Sequence, residues 1–126
     1  MNYEKARVGI KIVYEDWCYK WDDWKEIIHF PEDFKNKYYF EEGTEMLLYF
    51  CGYKKILGTY EVVDPNWFID LRNKKHRYAI RVEYSSSNFY IRKDEILNEI
   101  KDFSPYQETY WQLEKSVFEK LKMKLG

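Results

Sequence analysis

The segment "EMLLYFCGYKKILGTYEVVDP", from Glu45 to Pro65, decides the fold that the sequence predicts. An apolar run from Met46 to Cys51 and a second segment from Ile56 to Val63 flank the tripeptide Gly52-Tyr53-Lys54. Two such segments around a short stretch that contains glycine indicate a β-hairpin. The sequence therefore predicts two antiparallel strands in this region.

The regions on either side of this hairpin predict further strands. Residues Val8 to Tyr14 and residues Tyr78 to Tyr84 alternate between apolar and polar side chains, and a period of two is typical of half-buried strands. The run from Ser85 to Asn88 favours a turn. The segment from Phe89 to Arg92 is then predicted to be a fifth strand.

A helix is predicted between the first strand and the hairpin. Four apolar side chains lie on one helical stripe: Trp17, Trp21, Trp24 and Ile28. Asp16 is placed to cap this helix and Pro31 to end it. A polar, aromatic-rich connection from Glu32 to Gly43 is expected to follow.

The C-terminal part of the chain predicts two more helices. Asp94 to Lys101 has apolar residues at helical spacing, and Ser116 with Glu119 has the spacing of a capping box before a last helix. The segment from Phe103 to Gln112 between them is predicted to be irregular. We therefore expect one domain over residues 1–126 with an α+β fold, a curved, mostly antiparallel sheet or partial barrel of about five strands with flanking helices.

The composition predicts a soluble, cytoplasmic protein. Cys18 and Cys51 are too few for a disulfide framework, and the N-terminus has no signal-peptide pattern. No apolar run approaches the ~20 residues that span a bilayer. Charged residues make up 34% of the chain and are rich in Lys and Glu, a bias that is typical of thermophile proteins. Aromatic residues make up 21%, so we expect some rings at a functional site.

The charges are distributed unevenly although the net charge is only -1. Residues Glu15 to Glu45 contain ten acids against four lysines, whereas Gly52 to Lys93 contains nine Lys and Arg against four acids. This asymmetry indicates that one face of the molecule is basic.

Motifs of catalysis and of metal binding are missing from the sequence. The five glycines form neither a P-loop nor a dinucleotide-binding motif. His29 and His76 are not spaced with cysteines or acids as a zinc site requires. We therefore predict no metal, no cofactor and no enzymatic activity.

The order of the predicted elements resembles that of the PUA-like superfamily, in its EVE and YTH branch. Four segments carry the resemblance: "EGTEMLLY" (Glu42 to Tyr49), "GTYEVVDP" (Gly58 to Pro65), "RYAIRVEY" (Arg77 to Tyr84) and "SVFEKLKMKL" (Ser116 to Leu125). Gly43-Thr44-Glu45 replaces the Gly-Asp pair of that branch, so the turn glycine is present but the acid is not.

The resemblance implies a module that binds DNA or RNA. Members of this branch hold a modified base, flipped out of its strand, in an aromatic pocket beside the first strand and the loop after the "E-V-x-x-P" strand. Related domains select the DNA target in McrBC-type modification-dependent restriction systems, so fusion to or association with a motor or nuclease subunit is one implied role. A hydrolytic or small-molecule site of the related ASCH type is another alternative.

The stretch "VDPNWFIDLRNKKHRY", from Val63 to Tyr78, carries most of the site residues that the resemblance implies. Asn66 and Trp67 correspond to the base pocket. Three residues at the end of the first strand are further pocket candidates: Tyr14, Asp16 and Trp17. Four cationic residues correspond to the phosphate-binding loop: Arg72, Lys74, Lys75 and Arg77.

Each candidate also has a simpler interpretation. Trp67 and Phe68 would equally cover the open end of the sheet, and the cationic loop would equally be a solvated surface. The stripe containing Trp17 is typical of a helix core, and Asp16 is suited to capping as well as to a hydrogen bond with a base amino group. The alternative function is a protein-interaction domain with an aromatic surface, because aromatic residues and Arg serve both kinds of interface.

Overall fold

The computed structural model of the protein describes residues 3–14 and 23–126. The described chain contains these elements in order: β1 (Glu4–Lys5), β2 (Gly9–Val13), β3 (Ile27–Phe30), α1 (Glu32–Lys37), β4 (Tyr38–Tyr39), β5 (Glu45–Phe50), β6 (Lys55–Ile69), β7 (Tyr78–Arg92), α2 (Lys93–Glu99), β8 (Tyr110–Gln112) and α3 (Lys115–Met123). None of the helices in these two ranges has the length and apolar character needed to cross a membrane.

Six strands form one curled sheet in the order β3-β7-β6-β5-β2-β8. Only the β2–β5 pair is parallel, and the other neighbours are antiparallel. β1 and β4 form a separate parallel pair. The predicted α+β class with a curved, mostly antiparallel sheet is therefore confirmed.

Both faces of the sheet are covered, which explains the continuous apolar run in β5. Met46, Leu48 and Phe50 belong to one hydrophobic cluster, and Leu47 and Tyr49 belong to the other. Successive side chains of a strand point to opposite faces, so a strand covered on both sides has no position that faces solvent. β2 is buried on both faces for the same reason, and the half-buried pattern predicted there is wrong: even Lys11 is only 1% exposed.

The helix predicted to extend to Ile28 is wrong at its C-terminal end. Ile27–Phe30 is the edge strand β3, whose residues pair with Tyr78–Arg81 of β7. Two consecutive β-branched residues favour a strand, and the pairing with β7 supplies hydrogen bonds that a helix would forgo. Trp24 of the same stripe lies in a turn ahead of β3, where the sequence also predicts a helix. Trp17, Trp21 and the proposed cap Asp16 lie outside the described residues.

Three other local predictions are also wrong. The predicted connection after Pro31 contains α1 and β4, and the predicted irregular segment before Leu113 contains β8. Ser116 lies inside α3, which Glu114 precedes as the N-cap residue, so the capping box does not form. In each case the sequence signal is short and local, and tertiary packing decides the outcome.

The turn predicted from Ser85 to Asn88 is replaced by continuous strand. Ser85 and Ser86 pair with Thr59 and Gly58 of β6. A Cβ atom on Gly58 would lie 2.2 Å from the carbonyl oxygen of Ser85, and one on Gly9 would lie 2.2 Å from that of Trp111. The two glycines therefore permit close approaches of neighbouring strands that no other residue allows without displacement.

Candidate functional site

A cavity of about 550 Å³ lies between α1, the segment that leads into β8, the end of β2 and the connection from β6 to β7. The described residues that line it are Tyr14, Pro31, Asp33, Phe34, Lys37, Tyr38, His76, Tyr106, Gln107, Glu108, Thr109, Tyr110, Trp111 and Gln112. A volume of this size is typical of sites for small organic ligands. Aromatic and polar groups are both present, so the cavity suits a flat, partly polar ligand.

Stacked aromatic rings make one side of the cavity. The Phe34 ring lies 4.7 Å from the Tyr38 ring and 4.7 Å from the Phe30 ring, measured between centroids. Tyr110 meets Phe34 edge-on at 5.8 Å. Phe40 packs on both Phe34 and Tyr110. We call Phe30, Phe34, Phe40 and Tyr110 the aromatic cluster. The contacts of Phe34 with the other three rings hold α1 against the sheet.

Trp67 packs behind this cluster. Its ring centroid lies 5.4 Å from that of Phe30, 6.3 Å from that of Phe34 and 6.2 Å from that of Phe40. The side chain is partly buried, and Trp67 is absent from the described lining of the cavity. The contacts match the interpretation of Trp67 as a cover for the sheet, and direct contact with a base stays a prediction.

The two residues next to Trp67 also make contacts within β6 and β7. The backbone and side-chain amides of Asn66 donate to Asp64 Oδ1 at 3.0 and 2.9 Å. The Arg81 guanidinium lies 4.8 Å above the Phe68 ring. The register of β6 against β7 shifts between Asp64 and Phe68, so this stretch is an irregular part of the strand.

Tyr14 lies in the cavity at the end of β2, as a pocket residue would. Its hydroxyl donates to the Pro105 carbonyl at 2.9 Å, and its ring is nearly parallel to that of His76 at 6.4 Å. Burial raises the pKa of Tyr14 to about 12, so the phenol is neutral at physiological pH. Asp16 and Trp17, the neighbouring candidates, lie outside the described residues.

The loop of residues 70–77 between β6 and β7 is held by Asp70. The Asp70 carboxylate is 8% exposed and accepts hydrogen bonds from His29 Nε2 at 2.9 Å and from Arg72 Nε at 2.8 Å. Arg72 also pairs with Asp23. The guanidinium and imidazole beside it hold the pKa of Asp70 well below its usual range. We call Asp23, His29, Asp70 and Arg72 the Asp70 network.

Backbone hydrogen bonds complete the order of this loop. The Asp70 amide donates to the Arg77 carbonyl at 2.7 Å and closes the loop. Oδ1 of the buried Asn73 accepts from the amides of Lys75 and His76 at 3.2 and 2.9 Å. The loop therefore has a defined shape that places His76 in the cavity lining.

The four cationic candidates of this loop differ in their partners. Arg72 is occupied by two carboxylates of the Asp70 network. Arg77 lies 3.9 Å from a Glu32 oxygen and also over the Tyr78 ring. Lys74 and Lys75 are exposed and form no ion pair within residues 3–14 and 23–126. The structure thus distinguishes two paired arginines from two available lysines.

The sequence patterns do not identify the cavity residues of α1 and of the segment 106–112. They also do not identify Lys11, a buried cation beside the cavity. Its ammonium donates to Thr109 Oγ1 at 2.6 Å and to the Ile12 carbonyl at 2.8 Å, and it lies 4.9 Å from the Phe30 ring centroid. The alternating pattern of the sequence puts Lys11 on the polar side of its strand, so its burial is not predicted.

The sequence does contain a signal from which α1 could have been predicted. Acids in its first turn and lysines in its last turn complement the helix dipole.

Within the described parts of the chain, no group of three or more His, Cys, Asp and Glu residues could hold a metal ion. Cys51 is a free thiol whose pKa burial raises to about 11. The thiol is therefore protonated at physiological pH and is a poor nucleophile.

Comparison with known proteins gives structural neighbours only. No family model matches the chain, and no curated protein matches it in sequence. The Mmi1 YTH domain in a complex with RNA is 12% identical with a TM-score of 0.62, over 99% of this chain and 80% of that chain. Protein Atu2648 from Agrobacterium tumefaciens is 8% identical with a TM-score of 0.67, over 96% of this chain and 94% of that chain.

A third neighbour is a tyrosine-to-phenylalanine mutant of ZmASCH from Zymomonas mobilis, which is 10% identical with a TM-score of 0.63, over 95% of this chain and 99% of that chain. Likeness at such low identity establishes the fold. The chain has a PUA-like fold of the kind seen in YTH and ASCH domains.

The packing of Trp67 yields a first prediction. Trp67→Ala should lower the free energy of unfolding by about 3 kcal/mol, because it leaves a void behind the aromatic cluster, and Trp67→Phe should restore part of the loss. Urea denaturation measures the effect. If Trp67→Ala barely changes stability but abolishes the preference of the folded protein for one base, the indole is instead a pocket residue.

The two histidines predict how stability depends on pH. Burial lowers the pKa of His76 to about 4 and lowers that of His29 below 6.5. The unfolded chain therefore binds protons at a higher pH than the folded chain, and the free energy of unfolding should fall as pH drops from about 6.5 towards 4. The slope is at most ~1.4 kcal/mol per pH unit for each histidine.

Chemical denaturation at a series of pH values measures this slope. His76→Gln should remove the part that His76 contributes, whereas Gln107→Ala, at another cavity residue that does not titrate, should leave the slope unchanged. A wild-type stability that stays constant between pH 6.5 and 4.5 would contradict the depressed pKa values.

Proposed function

We propose that this protein is a nucleic-acid-binding module that holds one base in the cavity and contacts the adjoining phosphates with Lys74 and Lys75. The observation that carries the proposal is the position of His76. This residue lines the cavity and directly follows the two exposed lysines in the ordered loop 70–77. A base site and a phosphate site are therefore joined by adjacent residues.

The chemistry of the cavity supports a flat, partly polar ligand, because rings and amides line it together with charged side chains of both signs, Asp33, Lys37 and Glu108. The rings of Phe34, Tyr38 and Tyr110 offer apolar surface, and the low pKa of His76 with the high pKa of Tyr14 keeps both groups uncharged at neutral pH. Gln107 and Gln112 offer amides that donate and accept hydrogen bonds. A nucleobase requires this combination, since its faces stack and its edge forms hydrogen bonds.

The charges of the protein support attraction of nucleic acid by individual lysines and not by the net charge of the molecule. The net charge of -1 gives no long-range pull on a polyanion. Binding must therefore depend on cations beside the cavity that are not already paired with a carboxylate. Lys74 and Lys75 meet this condition, whereas Arg72 is paired with Asp70 and Asp23.

The order of the loop strengthens these contacts. Asp70, Asn73 and the Asp70–Arg77 backbone bond hold the loop in one shape before any ligand is present. A preorganised loop loses less conformational entropy on binding than a mobile one. Two lysines can then suffice for a measurable phosphate contribution.

The structural neighbours support the same class of ligand. The Mmi1 YTH domain, with 12% identity, is seen in a complex with RNA. We extend the proposal to a flipped base, modified or not, in DNA or RNA, bound without catalysis. The further role as the target-recognition part of a modification-dependent restriction system rests on the sequence resemblance alone.

Salt dependence of binding tests this proposal. Fluorescence anisotropy with labelled single-stranded RNA and DNA of mixed sequence should show affinity that falls steeply with NaCl concentration. The double variant Lys74→Ala with Lys75→Ala should reduce the slope of log affinity against log salt by about 0.7 per lysine, because each phosphate contact releases counterions.

The matched control is Lys101→Ala with Lys115→Ala, which removes two exposed lysines outside the loop and outside the cavity lining. It should leave the slope unchanged. Absence of binding to every RNA and DNA strand at low salt would overturn the proposed function and favour the protein-interaction alternative. Binding with equal slopes in both double variants would remove the phosphate role from Lys74 and Lys75.

A further inference from the structure

Tyr106 lies at the mouth of the cavity and is unusually exposed for an aromatic residue. Its side chain contributes to the cavity lining, yet the residue is 73% exposed. Single exposed aromatic residues are normal on a protein surface, but the other strongly exposed aromatic residues of the described chain do not line the cavity, whereas Tyr106 does. The other aromatic residues of the lining are partly or fully buried.

The backbone around Tyr106 is anchored although its ring is exposed. Phe103 is 4% exposed and contacts the Tyr49 and Trp111 rings. The Tyr106 amide donates to Ser104 Oγ at 3.4 Å, and the Pro105 carbonyl accepts from the Tyr14 hydroxyl. The backbone of the segment is therefore held against the end of β2, and it places Tyr106 at the mouth of the cavity.

The Tyr106 ring makes no aromatic contact and no ion pair with other residues in ranges 3–14 and 23–126. Its neighbours in the lining are engaged: Tyr14 stacks with His76, and Tyr110 packs in the aromatic cluster. An exposed ring can stack with a flat group, and a base is the flat partner that a bound strand would offer there.

We propose that Tyr106 is a second base-binding site, on which the base next to the one in the cavity stacks. This inference rests on the proposed function. Moving one base out of its strand leaves the neighbouring base without a partner on one face, and the Tyr106 ring replaces that partner. The contact carries little sequence preference, because every base has an aromatic face.

Alternating abasic strands test the site directly. The probes are the best-binding of the four single-stranded nonamer homopolymers and the same nonamer with every second nucleotide abasic, which keeps all phosphates but removes neighbouring bases. Tyr106→Ala should weaken binding of the full nonamer by about 5- to 100-fold. It should change binding of the alternating strand by less than about twofold, because that strand offers no adjacent base to stack.

Two control variants complete the experiment. Tyr106→Phe keeps the ring and should bind both strands as the unaltered protein does. Tyr53→Ala removes another exposed tyrosine, 57% exposed and outside the cavity lining, and should leave both affinities unchanged. Circular dichroism of each variant verifies that it is folded.

The outcomes separate the two proposals. If Tyr106→Ala binds both strands as the unaltered protein does, or weakens both equally, Tyr106 is not a site for the second base, and the proposed function still stands. If the unaltered protein binds neither strand, both proposals are overturned.

Discussion

The buried carboxylate of Asp70 is the interaction on which the candidate site depends. A charged group at 8% exposure loses most of its hydration, and this cost must be offset by close partners. His29 from β3 and Arg72 from the loop supply them, and Arg72 continues to Asp23 ahead of β3. The network joins the β6–β7 connection to the edge strand of the sheet. The loop therefore keeps one shape, and His76 keeps its place in the cavity.

The same network decides which charges remain for a ligand. The guanidinium of Arg72 is already paired with Asp70 and Asp23, although in the sequence it belongs to one cationic run with Lys74, Lys75 and Arg77.

The aromatic residues also divide into a group that supports the fold and a group that lines the cavity. Phe30, Phe40 and Trp67 build the support behind the cavity, whereas Tyr14, Phe34, Tyr38 and Tyr106 reach the cavity itself. Much of the high aromatic content is thus structural, and only part of it lies at the site.

The central hairpin and the fold class can be predicted from the sequence because those features depend on strong local patterns. The apolar run of β5, the alternation in β7 and the glycine-containing turn each indicate one structure. Ile27–Phe30 is predicted wrongly because four residues form a strand only through their partner β7. The run from Ser85 continues as strand because Gly58 on the facing strand has no side chain. The partner strand β7 and the facing Gly58 both lie outside the segments whose structure they determine, so the local sequence does not reveal their effect.

The candidate site is predictable only in part for a related reason. Tyr14 and the loop lysines follow from their places beside strands that the sequence reveals. The rest of the cavity comes from α1 and the segment of residues 106–112, which are far apart in sequence and meet only because the sheet curls. The contacts of the Asp70 network likewise depend on His29 and Asp23, which no spacing rule identifies as neighbours of the loop.

The most direct test of base binding in the cavity is a titration of the isotope-labelled protein with a short single-stranded oligonucleotide, followed by ¹H–¹⁵N NMR spectra. We expect the largest saturable amide shifts in residues 74–76 and 106–109 and in α1, around one cavity. Shifts centred on the exposed Phe89 and Tyr90 of β7, or no shifts at all, would contradict it.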